Sequence, residues 1–341
     1  MPDTLEPPAS SQSLLTETIR SSFKLPVLLA ADRAGIFASL DESPASSQEI
    51  AERFGISHRS AEAMLGVLAA AGFLTQLGGK FHLLDVAKDY LLPASPYYCG
   101  GWFDMWRTGA INHESVYNAI FEERAAYADV LDAENWESSP DGEQLERFTS
   151  TMHAASFPAA IGVATNGDFS GVSRLLDVAG GSGCFCIALA SRYPDMALTV
   201  MELPGVCDII PKYTTQYGLE NRIGTYAADM FRDEWPADYD AHFLSNIFHD
   251  WDPDKCLLLA KTSYAALPPG GRLFLHEELA NDTHDGPLET MLYSMNMVAW
   301  TRGGKQYSLN ELEVILSEAG FRNVRVECTY NRFSLVIADK P

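Results

Sequence analysis

Residues 175–183, LLDVAGGSG, join a short apolar run to an aspartate and a glycine-rich loop. An apolar run of this length predicts a buried strand of a parallel sheet, and glycines allow the tight turn into a helix and a close approach of the backbone to a ligand. A dinucleotide-binding loop needs a third glycine at position 186, where this chain has Cys186. The stretch therefore predicts a site for a ligand without a pyrophosphate, bound by Asp177, Gly180, Gly181 and Gly183.

Strands and helices alternate along the chain from this loop to the carboxyl terminus. Short apolar runs predict strands at 175–178, 197–201, 223–227, 239–244 and 272–276. Helical spacing of apolar residues predicts helices at 187–192, 206–217, 254–266 and 309–319. A closing pair, 324–328 and 334–338, indicates an antiparallel edge hairpin. The predicted fold class is α/β, a Rossmann-like doubly wound sheet with this hairpin at one edge.

The amino-terminal part is predicted to be mainly helical. Residues 14–40 are helical with a boundary or kink at Pro26, and the next two helices begin at Ser46, in a capping box with Glu49, and at Ser57. A hairpin turning at 78–79 follows, which is the element order of a winged helix. We predict a winged-helix-like dimerisation domain over 1–100, a helical linker over 101–165 with an exposed acidic loop at 132–143, and the cofactor domain over 166–341.

Composition excludes several classes of partner. The chain has 46 Asp and Glu against 24 Lys and Arg, a net charge of −22, which opposes binding to nucleic acid and anionic lipid. The six cysteines are scattered, so we predict reduced thiols and no metal site. The sequence shows neither a signal peptide nor an apolar run long enough to span a membrane, so we expect a cytoplasmic protein without membrane contact.

Acidic residues follow two further predicted strands. Glu202 ends the second strand, where a carboxylate can accept both hydroxyls of a ribose. Asp229 and Met230 follow the third strand, where the acid can accept from an adenine amine and the thioether can pack on its ring. Asp177 and the glycine loop can hold an ammonium and a carboxylate. The ligand that combines these groups is S-adenosylmethionine.

The segment after the fourth strand, NIFHDW at 246–251, carries the chemistry. Methyl transfer to oxygen needs a base that removes the hydroxyl proton, and an imidazole, whose ordinary pKa is near neutral, suits His249 to that role. Glu277, at the end of the fifth strand, is placed to fix the tautomer and orientation of His249. Asp250 adjoins the base.

These motifs resemble the caffeic acid and acetylserotonin type of small-molecule O-methyltransferases. The runs LLDVAGGSG, MELPGV, AADMF, NIFHDWD, LPPGGRLFLHEE, GPLETMLYSMNM and GGKQYSLNELEVILSEAGF carry the resemblance, strongly over 170–340 and more loosely before it. It implies a homodimer, His249 as general base, and substrate contacts from Asp250 and Asn296. It also implies Glu202 on the ribose and Asp229 with Met230 on the adenine.

Two positions depart from the plant members of this family. Gln306 replaces a glutamate that flanks the base, so a second acid is absent. Ser245 replaces a lysine, and we count it among the cofactor contacts. The resemblance also indicates which regions of the chain line the acceptor pocket. In this chain those regions contain the apolar and aromatic residues Trp106, Met152, His153, Phe157 and Met295. An apolar lining suits a small aromatic or apolar acceptor.

Two other classes of function stay open at this stage. A C- or N-methyltransferase, acting by proximity or with a metal, would depend less on His249. A non-catalytic or DNA-binding regulator would not need the base, but the second predicted helix offers only His58 and Arg59 as basic groups and the net charge is negative. Retention of nearly full activity by His249→Ala would separate the first alternative from general-base catalysis.

Overall fold

A computed structural model describes residues 8–124 and 142–341. The chain divides into two compact units, Met1–Arg107 and Thr108–Pro341. The first therefore ends near the predicted boundary at residue 100, and most of the predicted linker belongs to the second. The acidic loop predicted at 132–143 lies almost wholly outside the described residues. Within them, no helix is long and apolar enough to cross a membrane.

Three helices open the first unit: α1 Ser13–Ser21, α2 Lys24–Ala34 and α3 Ile36–Glu42. Pro26 lies in the first turn of α2, where its missing N–H breaks no helical hydrogen bond. The predicted boundary is thus real, and it precedes the proline by two residues. Gly35 ends α2 in the left-handed conformation, with φ of 79°.

The predicted helix, helix and hairpin follow as α4 Ser47–Phe54, α5 His58–Ala70, β1 Leu74–Leu77 and β2 Lys80–Leu83. Ser46 accepts from the N–H of Glu49 while the Glu49 carboxylate accepts from the N–H of Ser46, so the capping box is confirmed. Ser57 caps α5 through its hydroxyl alone, which accepts from the N–H of Ser60. The antiparallel strands turn at two glycines, both with positive φ. The unit closes with α6 Asp85–Leu91 and α7 Gly100–Arg107.

The second unit begins with α8 His113–Phe121 and α9 Gly142–Asn166 and then alternates strands and helices. The strands are β3 Arg174–Val178, β4 Ala197–Glu202, β5 Ile223–Ala227, β6 Ala241–Ser245, β7 Arg272–Glu278, β8 Arg322–Tyr330 and β9 Phe333–Asp339. The helices are α10 Cys184–Arg192, α11 Pro204–Cys207, α12 Ile210–Gln216, α13 Pro253–Ala266, α14 Leu288–Trp300 and α15 Leu309–Ala319.

These strands form one seven-stranded sheet in the order β5-β4-β3-β6-β7-β9-β8. The first five are parallel, and β9 pairs antiparallel with both β7 and β8, which confirms the α/β class and the edge hairpin. The order reverses at β3, so the glycine loop lies at the switch point where such sheets bind ligands. The single helix predicted at 206–217 is wrong: Pro211 lies in the first turn of α12, so a new helix starts there.

Candidate active site

The glycine loop joins β3 to α10 beside the end of β4. Asp177 is buried in β3, and a Cβ at Gly180 would lie 2.6 Å from its carboxylate, so only glycine fits there. The N–H of Gly181 donates to Glu202 Oε1 at 3.3 Å. Gly183 is the N-cap of α10, with φ of 76°, a conformation that favours glycine. The loop thus brings two predicted cofactor acids to one edge of the sheet.

Burial raises the pKa of Asp177 and of Glu202, each to about 7. The Cys186 thiol donates to Asp177 Oδ2 at 3.5 Å, while the buried Oδ1 has no hydrogen-bond partner among residues 8–124 and 142–341. Glu202 Oε2 accepts from the N–H of Leu203 at 2.6 Å. A ligand that brings an ammonium or hydroxyl donors would satisfy these carboxylates, so the residues present fit S-adenosylmethionine.

Asp229 and Met230 follow β5, as predicted, at the same edge of the sheet. Asp229 Oδ1 accepts from the N–H of Phe231 at 2.8 Å, which fixes the carboxylate within a tight turn. Met230 packs against the apolar core, and its carbonyl accepts from the indole of Trp235 at 3.0 Å. The predicted adenine contacts of these two residues stay predictions.

His249 lies in a single 3-10 turn, Phe248–Asp250, directly after β6. Its side chain is buried, and its Nδ1 lies 2.8 Å from Glu277 Oε2, within the distance of an ion pair. The ring N–H of His249 is not directed at that oxygen. The other oxygen, Oε1, accepts from the N–H groups of Ile247 and Phe248 at 3.0 and 2.9 Å. The turn that carries the imidazole therefore also holds the carboxylate beside it.

The surrounding charges control the protonation of His249. Burial alone would lower its pKa, but Glu277 and then Asp250 outweigh burial and raise it to about 9. Asp250 Oδ1 lies 3.5 Å from His249 Nε2, and its own pKa is raised by loss of solvent. The ring of Tyr293 on α14 meets the imidazole edge-on, with 5.5 Å between centroids.

Helix α14 and the segment after it place two amides near the base. Asn296 on α14 has a buried Oδ1, and the side chain of Gln306 is fully buried. The Asn296 Oδ1 and both polar side-chain atoms of Gln306 have no hydrogen-bond partner in the described part of the chain. The backbone N–H of Gln306 donates to Ser294 Oγ at 3.1 Å, which ties the segment to α14. Gly304 packs so closely on the carbonyl of His249 that a Cβ would overlap it.

The predicted pocket residues separate into three groups. His153 on α9 shares a hydrogen bond of 2.8 Å with Ser182 of the glycine loop and stacks on Tyr213 and Phe157, so it contacts the cofactor loop itself. Phe157 is buried, while Met152 and Met295 are half-buried. Trp106 belongs to α7 in the first unit. The substrate roles of all five stay predictions.

Ser245, predicted as a cofactor contact, ends β6 opposite His276 of β7. Its hydroxyl lies 2.8 Å from Nδ1 of that buried imidazole. Sequence reasoning missed His276 because it stands inside an apolar run that predicts only a core strand. It also missed Tyr293 and Ser182. The spacing of Tyr293 and Asn296, three residues apart on a helix, was a usable signal that both share a face.

Three features define the class of this protein. The sheet is doubly wound with a glycine loop at its switch point, two acids lie beside that loop, and a buried His–Glu pair follows β6. Together they are typical of an α/β enzyme that binds an adenosyl cofactor.

The comparisons with known proteins name the family. The chain belongs to the O-methyltransferase domain family, whose model matches residues 113–322. It is similar to a 3-hydroxy-5-methyl-1-naphthoate 3-O-methyltransferase of Streptomyces sahachiroi, at 35% identity over 92% of this chain and 90% of the relative. An L-tyrosine C(3)-methyltransferase of Streptomyces lavendulae is 28% identical over 86% of this chain and 82% of the relative.

The fold is also that of a solved relative. The crystal structure of human N-acetylserotonin methyltransferase in complex with S-adenosylmethionine has a TM-score of 0.83 and 26% sequence identity, covering 98% of this chain and 99% of that one. The resemblance seen in the sequence motifs is confirmed. The protein is an O-methyltransferase that uses S-adenosylmethionine and a small-molecule acceptor.

Proposed function

We propose that the protein transfers a methyl group from S-adenosylmethionine to a hydroxyl of a small aromatic or apolar acceptor, with His249 as the general base. The observation that carries the proposal is the buried pair of His249 Nδ1 and Glu277 Oε2, 2.8 Å apart at the carboxyl edge of the sheet. A base with a fixed carboxylate partner is the arrangement that removes a proton from a hydroxyl as it attacks.

Glu277 determines which nitrogen of His249 takes the proton. In the neutral imidazole the single proton is most stable on Nδ1, beside the carboxylate, which leaves the Nε2 lone pair free. Nε2 is therefore the atom that accepts the proton of the hydroxyl. The imidazolium that forms lies between Glu277 and Asp250, and both carboxylates stabilise its charge.

The donor site rests on Asp177, Glu202 and the glycine loop. Asp177 Oδ1 would accept from the ammonium, and Glu202, held by the N–H groups of Gly181 and Leu203, would accept from the ribose hydroxyls. When bound, S-adenosylmethionine supplies an electrophilic methyl on a sulfonium. Asp229, Met230 and Ser245 complete the proposed contacts on this side.

The acceptor site combines apolar surface with few polar groups. Phe157 and Met295 provide apolar surface, and Asn296 and Gln306 provide buried amide atoms that an acceptor's polar groups would satisfy. A neutral amide at Gln306 adds no charge beside the acceptor. The naphthoate relative acts on an aromatic hydroxyl according to its name. We include Met152 and His153 in the proposed lining.

We also propose that the protein is a cytoplasmic homodimer that binds no nucleic acid. Helix α1 supports the dimer: it buries no residue, and its large apolar side chains are at least 60% exposed, namely Leu14, Leu15 and Ile19. Such a surface is unfavourable in water unless a partner covers it. Light scattering after size exclusion would measure the mass, and a mass of about 37.5 kDa would reject the dimer.

The test of the function begins with calorimetric titration of S-adenosylmethionine and S-adenosylhomocysteine, followed by mass spectrometry of acceptor mixtures. We expect both ligands to bind and an aromatic hydroxyl to gain one methyl. His249→Ala should lower turnover by roughly 10²-fold or more. The matched control is His58→Ala, an exposed histidine of the first unit.

Each outcome decides one part of the proposal. Absence of binding by both ligands would reject the cofactor site as a whole. A methyl group on carbon or nitrogen would favour the alternative chemistry. A His249→Ala enzyme that keeps most of its turnover would reject the general base and leave the methyl transfer standing.

A further inference from the structure

His276 is a histidine buried completely in the centre of the sheet, with a partner on each ring nitrogen. Nδ1 lies 2.8 Å from Ser245 Oγ, and Nε2 lies 3.2 Å from Thr329 Oγ1 on β8. The ring is packed among Phe185, Phe243 and Phe333. Burial lowers its pKa to about 3, so the imidazole is neutral and carries one proton.

The hydrogen bonds decide which nitrogen holds that proton. The Thr329 hydroxyl donates to the carbonyl of Phe333 at 3.1 Å, and a carbonyl can only accept. Thr329 Oγ1 has a single proton, so toward His276 it acts as the acceptor, and Nε2 is the donor. Nδ1 is then unprotonated and accepts from Ser245. Each group therefore donates to the next, from Ser245 at the end of β6 through His276 and Thr329 to the carbonyl of Phe333 on β9.

This direction sets the polarity of Ser245 at the edge of the sheet. Ser245 is half-buried, whereas His276 and Thr329 are buried. Its hydroxyl proton points inward, so Oγ presents only lone pairs outward. Phe185 in the first turn of α10 packs on both Phe243 and His276, which places Ser245 on the side of the sheet that carries the glycine loop.

We propose that Ser245 is a cation-recognition residue for the methyl donor, held as an obligate hydrogen-bond acceptor by His276 and Thr329. The proposal rests on the donor site proposed above and names the group that Ser245 meets: a positively charged group of the donor, either the sulfonium or the ammonium. An oxygen that presents only lone pairs attracts either cation, whereas a hydroxyl free to rotate would offer its proton part of the time. His276 and Thr329 are positioning residues.

The decisive variant is Thr329→Val, which removes the hydroxyl, keeps the shape and lies on the edge strand β8, separated from the strand of Ser245 by β7 and β9. Without Thr329 Oγ1, His276 gains nothing from a proton on Nε2 and can hold it on Nδ1. Ser245 would then accept from His276 and turn its own proton outward. Thr329→Ser retains the hydroxyl and is the matched control, and Ser245→Ala removes the acceptor directly.

Calorimetric titrations with three probes separate the possible contacts. S-adenosylmethionine carries the sulfonium and the ammonium, S-adenosylhomocysteine only the ammonium, and 5′-methylthioadenosine neither. For Thr329→Val and Ser245→Ala we expect the Kd of S-adenosylmethionine to rise roughly five- to tenfold, with the Kd of methylthioadenosine within about twofold of wild type. Thr329→Ser should match wild type for all three.

The homocysteine probe identifies the cation. An unchanged Kd for S-adenosylhomocysteine would assign the contact to the sulfonium, and a parallel rise would assign it to the ammonium. Equal changes for all three probes, or no change for any, would overturn the proposal while the cofactor site stands. Failure of wild type to bind S-adenosylmethionine would instead reject the proposed function itself. Thermal melting of each variant controls for loss of folding.

Discussion

Replacement of Glu277 by glutamine tests the general base more sharply than removal of the histidine, because the structure dictates how the new side chain must lie. Oε1 of Glu277 accepts from two backbone N–H groups, of Ile247 and Phe248. Only the carbonyl oxygen of a glutamine can accept them, so the amide nitrogen is forced toward His249 Nδ1. That nitrogen donates, so Nδ1 becomes the acceptor and the ring proton moves to Nε2. The variant base would therefore hold its proton on the atom that must receive one.

The expected loss follows from the charge as well as from the tautomer. The surroundings raise the pKa of His249 from its ordinary value of 6.5 to about 9, and Glu277 is the largest raising influence. Above about pH 9 the imidazole is neutral in both enzymes, and only the stabilisation of the imidazolium differs between them. At 1.36 kcal/mol per pKa unit, this stabilisation amounts to about 3 kcal/mol, or about 10² in rate. Inversion of the tautomer adds to this, since an equivalent Asp-to-Asn change in a serine protease costs about 10⁴. We expect turnover to fall between about 10²- and 10⁴-fold.

The assay is single-turnover methyl transfer at saturating S-adenosylmethionine and above about pH 9, where His249 is neutral in both enzymes, with cofactor affinity measured in parallel. Glu278→Gln is the matched control, because it removes the adjacent carboxylate of β7 without touching the N–H groups of the 3-10 turn. We expect the control to stay within about threefold of wild type. A Glu277→Gln enzyme within about threefold of wild type would refute the tautomer argument, and an equal loss in both variants would indicate a general charge effect.

Three further predictions follow from single contacts. Because protonated His249 cannot accept a proton, kcat/KM should rise about tenfold per pH unit and level off near the pKa of about 9. A flat profile of kcat/KM from about pH 6 upward would contradict the elevated pKa. Gly304→Ala places a Cβ on the carbonyl of His249, so turnover should fall at least about tenfold with cofactor affinity retained. The control Gly66→Ala has open space around it and should leave turnover unchanged. Equal kinetics in both variants would show that the segment around Gly304 shifts without disturbing His249. Ser46→Ala removes half of the capping box of α4 and should lower the free energy of unfolding, measured by urea denaturation, by about 1 kcal/mol. A change below about 0.3 kcal/mol would mean that water caps the helix equally well.

The local sequence was sufficient for most of the fold. Period and length distinguish strand from helix, and capping residues mark the starts of helices, which is why Ser46 and Ser57 cap helices where predicted. Alternation of strands and helices imposes a parallel sheet, and the carboxyl ends of its strands share one edge. The sequence alone therefore assigns the glycine loop, Glu202 and His249 to one site.

Proline accounts for the local error. The apolar spacing of 206–217 is helical throughout, but Pro211 lacks the N–H that a continuous helix needs, so α12 begins anew beside it. The sequence does not predict helix α14 as an element, although two of the predicted substrate contacts, Met295 and Asn296, lie on it. A segment that is apolar on several faces gives a weak periodic signal.

Tertiary structure alone decided how the polar side chains pair. The sequence places Glu277 near His249, but only the fold shows one carboxylate oxygen held by the turn that carries the base and the other beside Nδ1. The partners of His276 come from strands far apart in the chain, and no local pattern encodes the direction of their hydrogen bonds. Periodicity reports which face of an element a residue occupies, whereas a proton's position depends on atoms that only the packed sheet brings within 3 Å or so of each other.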